Sequence, residues 1–331
     1  MNQPPWEGLF PTLRRIRFNL KLRNIEPLRI GVGRGGDRLG APVDLSVYRQ
    51  QVVRKDGGGY KISLEPVIPG SSLKGVLRTA SMALAASCGL EAHSGVGGDD
   101  CVNKIFGNTK TFDEYRGERT PDDVRSALRG FCPLCLLYGA PNFSSRVHVG
   151  DFVPTTGARV GVKTGVGINR RTGAAQVGML YTVEYVEPGA VFEGSISAVN
   201  TPNWMLALLA GSLLAIGQGW LKIGGFKSRG MGRVEIVGVE FKVEPVKVEA
   251  NSCLLPPLDL EVDEPLSLNG CRVKGYSAIC GDAAAYRLLE ELATAWSSKY
   301  CSKLRELFEK RRKTAQQLIE AYQASSEGEG F

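Results

Sequence analysis

Four residues near the middle of the chain could hold a metal ion. Cys132 and Cys135 enclose two residues, a spacing that lets two thiolates bind one zinc ion, and His93 and Cys101 precede them in the same polar segment. Cys88 is the reserve ligand. A single C-x-x-C could instead be a redox pair, but the neighbouring histidine and cysteine favour zinc. Because a small loop-rich segment needs a cross-link, we predict a structural zinc site at these four residues.

Residues 68–78 combine small and basic side chains just after a proline and a glycine that end a strand. Either Ser71 or Ser72 can accept hydrogen bonds from the first free amides of a helix. The positive end of the helix dipole, together with Lys74 and Arg78, suits a phosphate or a sugar–phosphate chain. The alternative is an ordinary capped helix with solvated cations.

A glycine-rich loop at residues 224–232 carries Lys227, Ser228 and Arg229 between a predicted helix and a predicted strand. It lacks the Lys-Ser/Thr ending of a Walker loop, which argues against ATP hydrolysis. In a ferredoxin-like fold this loop would lie near the amino-terminal end of the helix at residues 72–87. We therefore expect the two anion-suited elements to converge on one track.

Another glycine-rich loop, residues 31–36, satisfies the dinucleotide-binding pattern G-x-G-x-x-G. No helical apolar stripe follows it, so we reject a nucleotide cofactor. Gly31 and Gly33 remain candidates for contact with a ligand backbone, because only glycine lets a chain approach so closely.

Carboxylates are the candidate catalytic groups, because the chain has only two histidines. His93 is a candidate metal ligand, and His148 lies in an alternating strand, where a satisfied sheet residue is the better interpretation. Asp44 lies in a loop flanked by glycines and cations, although a solvated loop aspartate is the alternative; Asp37 and Asp151 are weaker candidates. One carboxylate can help to hold a hydrated Mg²⁺ against a phosphate, but not alone.

A long hairpin is predicted at residues 155–189, within which residues 156–180 include no acidic side chain. Phosphate contact is the functional interpretation, and a solvated ribbon is the alternative. The absence of counter-charge favours nucleic acid. The cations of this segment are Arg159, Lys163, Arg170 and Arg171.

Hydrophobic periodicity predicts an α+β chain whose elements run strand, helix, strand, strand, helix, strand. That order is the βαββαβ arrangement of ferredoxin-like and RRM-type folds. We predict one domain over residues 1–244, with an insertion at 88–145 and the hairpin at 155–189, and a C-terminal helical extension over 245–331. The predicted elements are strands at 13–23, 47–67, 146–153, 191–199 and 233–243 and helices at 72–87, 204–216 and 283–322.

The composition indicates which cellular environment and which partners to expect. The 331 residues carry a net charge of +7 and a pI near 9.0, which fits a polyanionic partner. No signal segment or apolar run of about 18 residues is present, so we expect a cytoplasmic protein. Eight cysteines in such a chain favour metal ligands or buried thiols over a disulfide scaffold. We expect buried thiols at Cys253, Cys271, Cys280 and Cys301.

Three of these motifs, at residues 68–78, 132–139 and 224–232, together resemble the RAMP superfamily of CRISPR-associated proteins. Within it, they are similar to the repeated backbone subunit of type III (Csm/Cmr) effector complexes. Residues 163–174 resemble the thumb hairpin of that subunit. The resemblance covers roughly residues 13–243.

This resemblance implies an RRM-type palm, a thumb hairpin that enters between guide–target base pairs, and copies that stack along a guide RNA. It also implies cleavage of target RNA by one loop aspartate with a divalent metal, the 2′-hydroxyl of the substrate attacking the adjacent phosphate. Asp44 matches that aspartate, in a loop longer than the common pattern. The residues that fit RNA contacts are Gly31, Gly33, Ser71, Ser72, Lys74, Arg78, Lys163, Arg170, Lys227, Ser228 and Arg229.

We therefore expect a guide-RNA-binding (crRNA-binding) backbone subunit of a type III complex, with metal-dependent endoribonuclease activity centred on Asp44. Its partners would be crRNA, target RNA and other effector subunits. A non-catalytic RAMP subunit that caps or scaffolds the filament is the main alternative, favoured by the C-terminal extension. A precursor-RNA processing nuclease is a third, weakened by the shortage of histidines.

Overall fold

The computed structural model describes residues 6–8, 12–32, 43–249 and 252–328. The predicted site residues Gly33 and Asp37 lie outside these ranges. Within them, the chain is α+β, as predicted, with an antiparallel sheet and helices around one hydrophobic core. No helix in these ranges is both long and apolar enough to cross a membrane.

The elements are numbered in chain order. The strands are β1 (Arg15–Asn24), β2 (Arg49–Asp56), β3 (Gly59–Pro66), β4 (Val147–Val149), β5 (Val153–Pro154), β6 (Val160–Ile168), β7 (Ala175–Val186), β8 (Val191–Val199), β9 (Val234–Glu244), β10 (Lys247–Glu249), β11 (Ser252–Leu255), β12 (Leu266–Ser267), β13 (Arg272–Lys274) and β14 (Ser277–Cys280). The helices are α1 (Gly70–Ser87), α2 (Cys101–Phe106), α3 (Thr109–Glu118), α4 (Pro121–Arg129), α5 (Pro133–Tyr138), α6 (Asn203–Gly217), α7 (Asp282–Ala295) and α8 (Cys301–Gly328).

The central sheet is built around β1, which pairs antiparallel with β8 on one side and β9 on the other. The full strand order is β13-β14-β9-β1-β8-β4, and β5 also pairs with β8. Alternate residues of β1 are buried, namely Ile16, Phe18, Leu20 and Leu22, while the cations between them are exposed. The period-two pattern of the sequence therefore fixes which face of this strand meets the core.

Helices α1 and α6 pack together on the buried face of the sheet. Helix α6 is apolar on almost every side, so nearly all of its residues are buried. Helix α7 supplies the second cover for α6, from the C-terminal part of the chain. A helix that is apolar all round must be enclosed in this way to be stable in water.

The start of α1 differs from the sequence prediction. Neither Ser71 nor Ser72 caps the helix, because it begins at Gly70 and places both serines in its first turn. Instead, the Asp151 carboxylate accepts a hydrogen bond of 2.7 Å from the backbone N–H of Gly70. A side chain at position 70 would overlap the Val149 carbonyl oxygen, so this close approach of α1 to the chain after β4 requires glycine.

The C-terminal part of the chain is more regular and more tightly joined to the rest than we expected. Strands β13 and β14 extend the central sheet beyond β9.

The prediction of free buried thiols was wrong for three cysteines. Cys271 and Cys280 form one disulfide across the β13–β14 hairpin, and Cys301 forms another with Cys88 at the end of α1. Only the folded chain brings these pairs together.

Residues 88–145 form the short helices α2 to α5 and share the core of the central sheet. Their aromatic rings pack edge-on or tilted against one another, with centroids 4.9 to 6.3 Å apart. This arrangement stabilises the segment beyond its buried area. The rings belong to Phe106, Phe112, Tyr115 and Phe131.

Candidate functional site

A groove opens where the first turns of α1 meet the glycine-rich loop 224–232 and the segment after β1. Its cavity has a volume of about 610 Å³. Of the described residues that line it, two are cations and none is acidic, which makes it suited to an anion. These residues are Arg29, Ile30, Gly31, Leu45, Ser72, Gly75, Val76, Thr79, Gly224, Gly225 and Lys227.

Glycines attach the 224–232 loop to the chain after β1. The N–H of Gly225 donates to the Arg29 carbonyl oxygen at 2.8 Å, and the N–H of Gly232 donates to the Pro27 carbonyl oxygen at 2.9 Å. Gly224 has a φ of +83°, and a side chain there would overlap the same Arg29 carbonyl. The loop therefore requires glycine both for its backbone conformation and for its close contact with residues 27–29.

The cations of this loop lie on one short turn. Lys227, Ser228 and Arg229 form a single turn of 3₁₀-helix and are all exposed, and Lys227 lines the groove. The Arg229 guanidinium lies 5.1 Å from the centre of the Phe226 ring, and that of Arg29 lies 5.4 Å from it. The two cation–π contacts keep both guanidinium groups at the edge of the groove.

Only one side of α1 faces the groove. Ser72, Gly75 and Thr79 line the cavity, whereas Lys74 and Arg78 do not. Lys74 Nζ donates to Ser145 Oγ at 2.8 Å, and burial lowers the pKa of this lysine. This separation follows from the helical period of 3.6 residues.

Arg78 is likewise engaged elsewhere. Its guanidinium donates hydrogen bonds of 3.4 Å to the carbonyl oxygens of Gly139 and His93. The sequence therefore groups Lys74 and Arg78 with the serines, but the structure places these two cations beside the 88–145 segment. Ser71 is exposed in the first turn of α1.

Asp44 is attached to strand β7 at the edge of the groove. Its Oδ2 accepts hydrogen bonds from the N–H of Thr182 at 2.7 Å and from Thr182 Oγ1 at 2.9 Å. These bonds, first the one from the backbone N–H, lower the pKa of the exposed Asp44 carboxyl below its ordinary value. The next residue, Leu45, lines the groove. Asp44 thus precedes a groove-lining residue in the chain, and its own side chain is not part of the lining.

Strand β7 also holds the residues that follow Asp44. Leu45 exchanges backbone hydrogen bonds with Thr182 and Glu184, at 3.1 and 2.9 Å. Glu184 accepts a two-pronged ion pair from Arg49, with N–O distances of 2.9 and 3.1 Å. A paired guanidinium and carboxylate of this geometry fix direction as well as distance. The segment carrying Asp44 is therefore positioned by the hairpin β6–β7.

The hairpin β6–β7 corresponds to the one predicted at residues 155–189. Glycines of β6 lie opposite aromatic residues of β7, as in the pair Gly165 and Tyr181, and the ring covers the glycine. Lys163 and Arg170 are exposed on it, as are Arg159 and Arg171. The structure does not place these cations in the groove lining.

The four residues predicted as metal ligands form a buried cluster, and they are the one such group in the described part of the chain. The ligand atoms of His93, Cys101, Cys132 and Cys135 all lie within 4.8 Å of one another. His93 Nδ1 is 3.3 Å from Cys101 Sγ and 4.0 Å from Cys135 Sγ. One histidine and three cysteines at such separations could hold a metal ion. Cys88 is excluded as a ligand in this structure by its disulfide bond with Cys301.

Groups around the cluster orient its ligands. Glu91 Oε1 lies 2.8 Å from His93 Nε2, which leaves Nδ1 directed at the thiols. Contacts with Cys132 and Cys135, and then with Glu91, raise the pKa of His93 to about 12. A carboxylate behind a ligand histidine is a usual companion of a bound metal. Arg312 of α8 contacts both Glu91 and Cys101 Sγ.

Comparison with protein families decides what kind of protein this is. The sequence profile of the RAMP superfamily matches residues 21–235, which is more than half of the chain. The chain belongs to the RAMP superfamily. This membership indicates a CRISPR-associated, RNA-binding protein. No curated protein matches the sequence significantly.

In this RAMP protein, several residues of the groove were not identified from the sequence. Arg29, Gly75 and Thr79 line the cavity, and Thr182 holds Asp44. Gly75 and Thr79 could have been found by placing Ser72 on a helical wheel, because positions three and four residues apart share a side. Thr182 is far from Asp44 in the sequence and gives no local signal.

Proposed function

We propose that this RAMP protein is a guide-RNA-binding backbone subunit of a type III CRISPR effector complex and that it cleaves complementary target RNA. The observation that carries the proposal is the convergence of α1, the loop 224–232 and the segment after β1 in one cationic groove within an RNA-binding family. A groove with small residues and cations suits a sugar–phosphate chain. Gly31, Ser71, Ser72, Lys227, Ser228 and Arg229 would contact the guide.

The strand order supports an RRM-type palm. The order β9-β1-β8-β4, with α1 and α6 on one face, is the antiparallel arrangement of a βαββαβ unit. The first strand lies in the middle, between the third and the fourth. We therefore propose a ferredoxin-like palm over residues 1–244, into which the segment 88–145 and the hairpins are inserted, and a C-terminal extension over 245–331.

The hairpin β6–β7 suits the role of a thumb. Its exposed side chains are both basic and apolar: Lys163 and Arg170 can meet phosphates, and Val177, Leu180 and Ile168 are 93%, 69% and 63% exposed. Apolar side chains presented in this way can contact the faces of bases between stacked pairs. We propose that the hairpin reaches the guide–target duplex while copies of the protein stack along the guide.

Asp44 fits a role in metal-assisted cleavage. Its Oδ2 is held by Thr182, whereas Oδ1 accepts no hydrogen bond from the residues that the structure describes. One free carboxylate oxygen can bind a divalent cation whose other ligands are water and substrate phosphate. Such an ion would stabilise the charge that develops on the phosphate.

The role of the chain itself is to hold the scissile nucleotide. The substrate 2′-oxygen bonds to the adjacent phosphorus and loses its proton to water, while the P–O5′ bond breaks and the 5′-oxygen takes a proton from water. The products are a 2′,3′-cyclic phosphate and a 5′-hydroxyl, so no protein nucleophile is needed. Cations along the groove fix the backbone, and Thr182 fixes the Asp44 carboxylate beside it. Orientation of the attacking hydroxyl then supplies much of the rate.

Cleavage of target RNA by the guide-loaded assembly in Mg²⁺ tests the proposal. The variants are Asp44→Asn, which loses the charge, and Thr182→Val, which loses the hydroxyl that bonds both the carboxylate and the N–H of Asp44. We expect regularly spaced cuts in the wild type, none with Asp44→Asn, and reduced cutting with Thr182→Val, while guide binding persists in all three. Guide binding without cuts in any of them would establish the alternative, a structural RAMP subunit.

One observation favours that alternative. Asp44 makes three hydrogen bonds with Thr182 and thereby anchors the loop before β2 to the hairpin, a sufficient structural role for an aspartate. Loss of RNA binding with Asp44→Asn would support this structural role. Equal cleavage by Asp44→Asn and the wild type would place the chemistry on another residue.

We also propose that the cluster of His93, Cys101, Cys132 and Cys135 holds a structural zinc ion. All four residues are buried, so no position is open to substrate. The ion would join the loop before α2 to the start of α5. Stoichiometric metal analysis of the purified protein tests this proposal.

A further inference from the structure

A row of side chains, all polar or cationic except Ile279, crosses the open face of the central sheet, on the side away from α1 and α6. The strand pairings align these residues directly across neighbouring strands. Residues paired in this way share one face of the sheet. In order from β4 to β13, the row is His148, Ser197, Arg17, Lys242, Ile279 and Arg272.

A second row lies two residues further along each strand. It includes Arg15 of β1, Glu244 of β9 and Lys274 of β13. The hydrogen bond of 3.0 Å from Ser277 Oγ to Glu244 Oε2 confirms that these side chains are on the same face. The two rows together present five cations and one carboxylate, so this end of the sheet is strongly basic.

Most of this positive charge is not neutralised by the protein. Among the described residues, Arg15, Arg17, Arg272 and Lys274 form no ion pair, whereas Lys242 lies 3.7 Å from Glu244. Glu240 lies one row beyond Lys242 on the same face and accepts a hydrogen bond of 2.8 Å from Asn19 Nδ2. Further towards the opposite end, Glu193 pairs with Lys21 and Glu235 pairs with Arg23.

The basic end also has a shape that can receive a ligand. A depression of about 250 Å³ lies on the face. Its lining includes Arg15, Arg17, Lys242, Ser197 and Glu244, so three cations, a hydroxyl and one carboxylate surround one space. Arginine presents a fork of N–H donors that matches two oxygens of a phosphate.

We infer that the open face of the central sheet is a second RNA surface, which binds the phosphate backbone and is separate from the groove at α1. Neighbouring strands are about 4.8 Å apart, so the cations from Arg17 to Arg272 extend over about 14 Å, enough for successive phosphates. Neither row contains an aromatic residue on which a base could stack. Binding here is therefore electrostatic and independent of sequence.

An acidic protein surface would also complement these cations. The RNA interpretation is preferred because the chain belongs to an RNA-binding family and because the donors are spaced along a track. The inference does not require cleavage, a type III complex or occupancy of the groove, so it can fail or succeed independently of the proposed function.

The experiment measures binding of the full chain to a fluorescent single-stranded RNA of mixed sequence over a range of salt concentrations. The test variant is Arg15→Gln with Arg17→Gln; both side chains are exposed and thermal unfolding checks the fold. The matched control is Lys310→Gln with Lys313→Gln, which removes the same charge from the exposed side of α8. A separate variant, Lys227→Gln, measures how much the groove at α1 contributes to RNA binding.

We expect the test variant to bind RNA more weakly and to reduce the slope of log K against log salt by about 1.4, corresponding to two phosphate contacts. The control should match the wild type. Combining the test variant with Lys227→Gln should reduce the slope further, by about 0.7. An effect of the test variant alone, without one from Lys227→Gln, would support this surface and count against the groove.

An unchanged salt slope in the Arg15→Gln, Arg17→Gln variant would overturn the inference. A fluorescent polyglutamate peptide provides the remaining comparison. If that peptide binds the wild type and not the variant, while RNA binding is equal in both, the surface recognises acidic protein and not RNA.

Discussion

The phenol oxygen of Tyr181 accepts a hydrogen bond of 2.6 Å from Arg229 Nη1 and thereby joins the hairpin β6–β7 to the loop 224–232. Tyr181 also lies beside Phe226, with ring centres 6.4 Å apart, and Arg229 stacks on Phe226. One arginine thus contacts both rings at the edge of the groove. This contact adds to the backbone bonds of Leu45 with Thr182 and Glu184 that hold the hairpin beside the groove.

Substitution of Tyr181 separates anchoring from RNA contact. Tyr181→Phe removes only the acceptor for Arg229, so we expect faster amide hydrogen exchange in the hairpin and no change in the salt slope of RNA binding. Arg229→Gln removes a guanidinium with further N–H donors available to RNA. For Arg229→Gln, we expect the same increase in amide hydrogen exchange, and a slope of log K against log salt that is reduced by about 0.7. Equal slopes in both variants would show that Arg229 only anchors the hairpin.

Gly75 provides a test of the groove that separates stability from binding. It lies within α1, lines the cavity and has open space where a side chain would project. Gly75→Ala should therefore raise the free energy of unfolding by about 0.5–1 kcal/mol, because alanine favours a helix. If an RNA backbone passes close to this position, the added methyl group should weaken RNA binding.

The matched control is Gly117→Ala in α3, an exposed glycine that also has open space around it. It should not alter RNA affinity. Chemical denaturation and RNA titration of both variants measure the two effects. Unweakened binding by Gly75→Ala would contradict close contact at this part of the groove.

Removal of one ligand from the metal cluster should unfold the 88–145 segment. We expect Cys132→Ser to lose stoichiometric zinc and to lower the free energy of unfolding by at least about 4 kcal/mol, since a structural metal contributes directly to folding. Cys253→Ser is the control, because Cys253 is free of disulfides and is outside the cluster. A Cys132→Ser protein with the stability of the wild type would contradict a structural metal.

Cleavage should depend on pH through Asp44. Hydrogen bonds from Thr182 lower the pKa of this carboxyl, so the ionised form persists to lower pH than for an ordinary aspartate. Thr182→Val removes one of these donors and should raise the pKa. We therefore expect cleavage by Thr182→Val to fall at a higher pH than cleavage by the wild type as the solution is acidified.

Single-turnover rates measured from neutral to acidic pH check this expectation, with RNA binding and metal content measured at each point. The direction is fixed by the charge: a carboxylate with a lowered pKa loses its function only when the pH falls through that lowered value. If the cleavage rates of the two proteins fall at the same acidic pH, Asp44 does not titrate in the reaction.

Regular elements were largely predictable from the sequence. The alternation in β1 identifies its buried face, and the apolar content of α6 identifies a buried helix. In both elements, apolar side chains occupy the positions that face the core. The four metal-cluster residues were also identified, since C-x-x-C is a local signal with a distinctive spacing.

Contacts between distant parts of the chain were not predictable in this way. Asp151 in place of a serine satisfies the first N–H of α1, and Cys88 bonds Cys301 instead of remaining a reserve ligand. Both depend on which loops the fold places together. The separation of Lys74 from Ser72, in contrast, follows from the helical period and could have been predicted.

The enclosure of α6 by α7 has a consequence for the synthesis of this protein. Ribosomes release residues 203–217 well before residues 282–295, so a growing chain presents a nearly wholly apolar helix to solvent before its second cover exists. Apolar surface exposed during translation is prone to aggregation and attracts chaperones. An mRNA truncated before the codons of α7 would therefore encode an aggregation-prone polypeptide instead of a smaller functional protein.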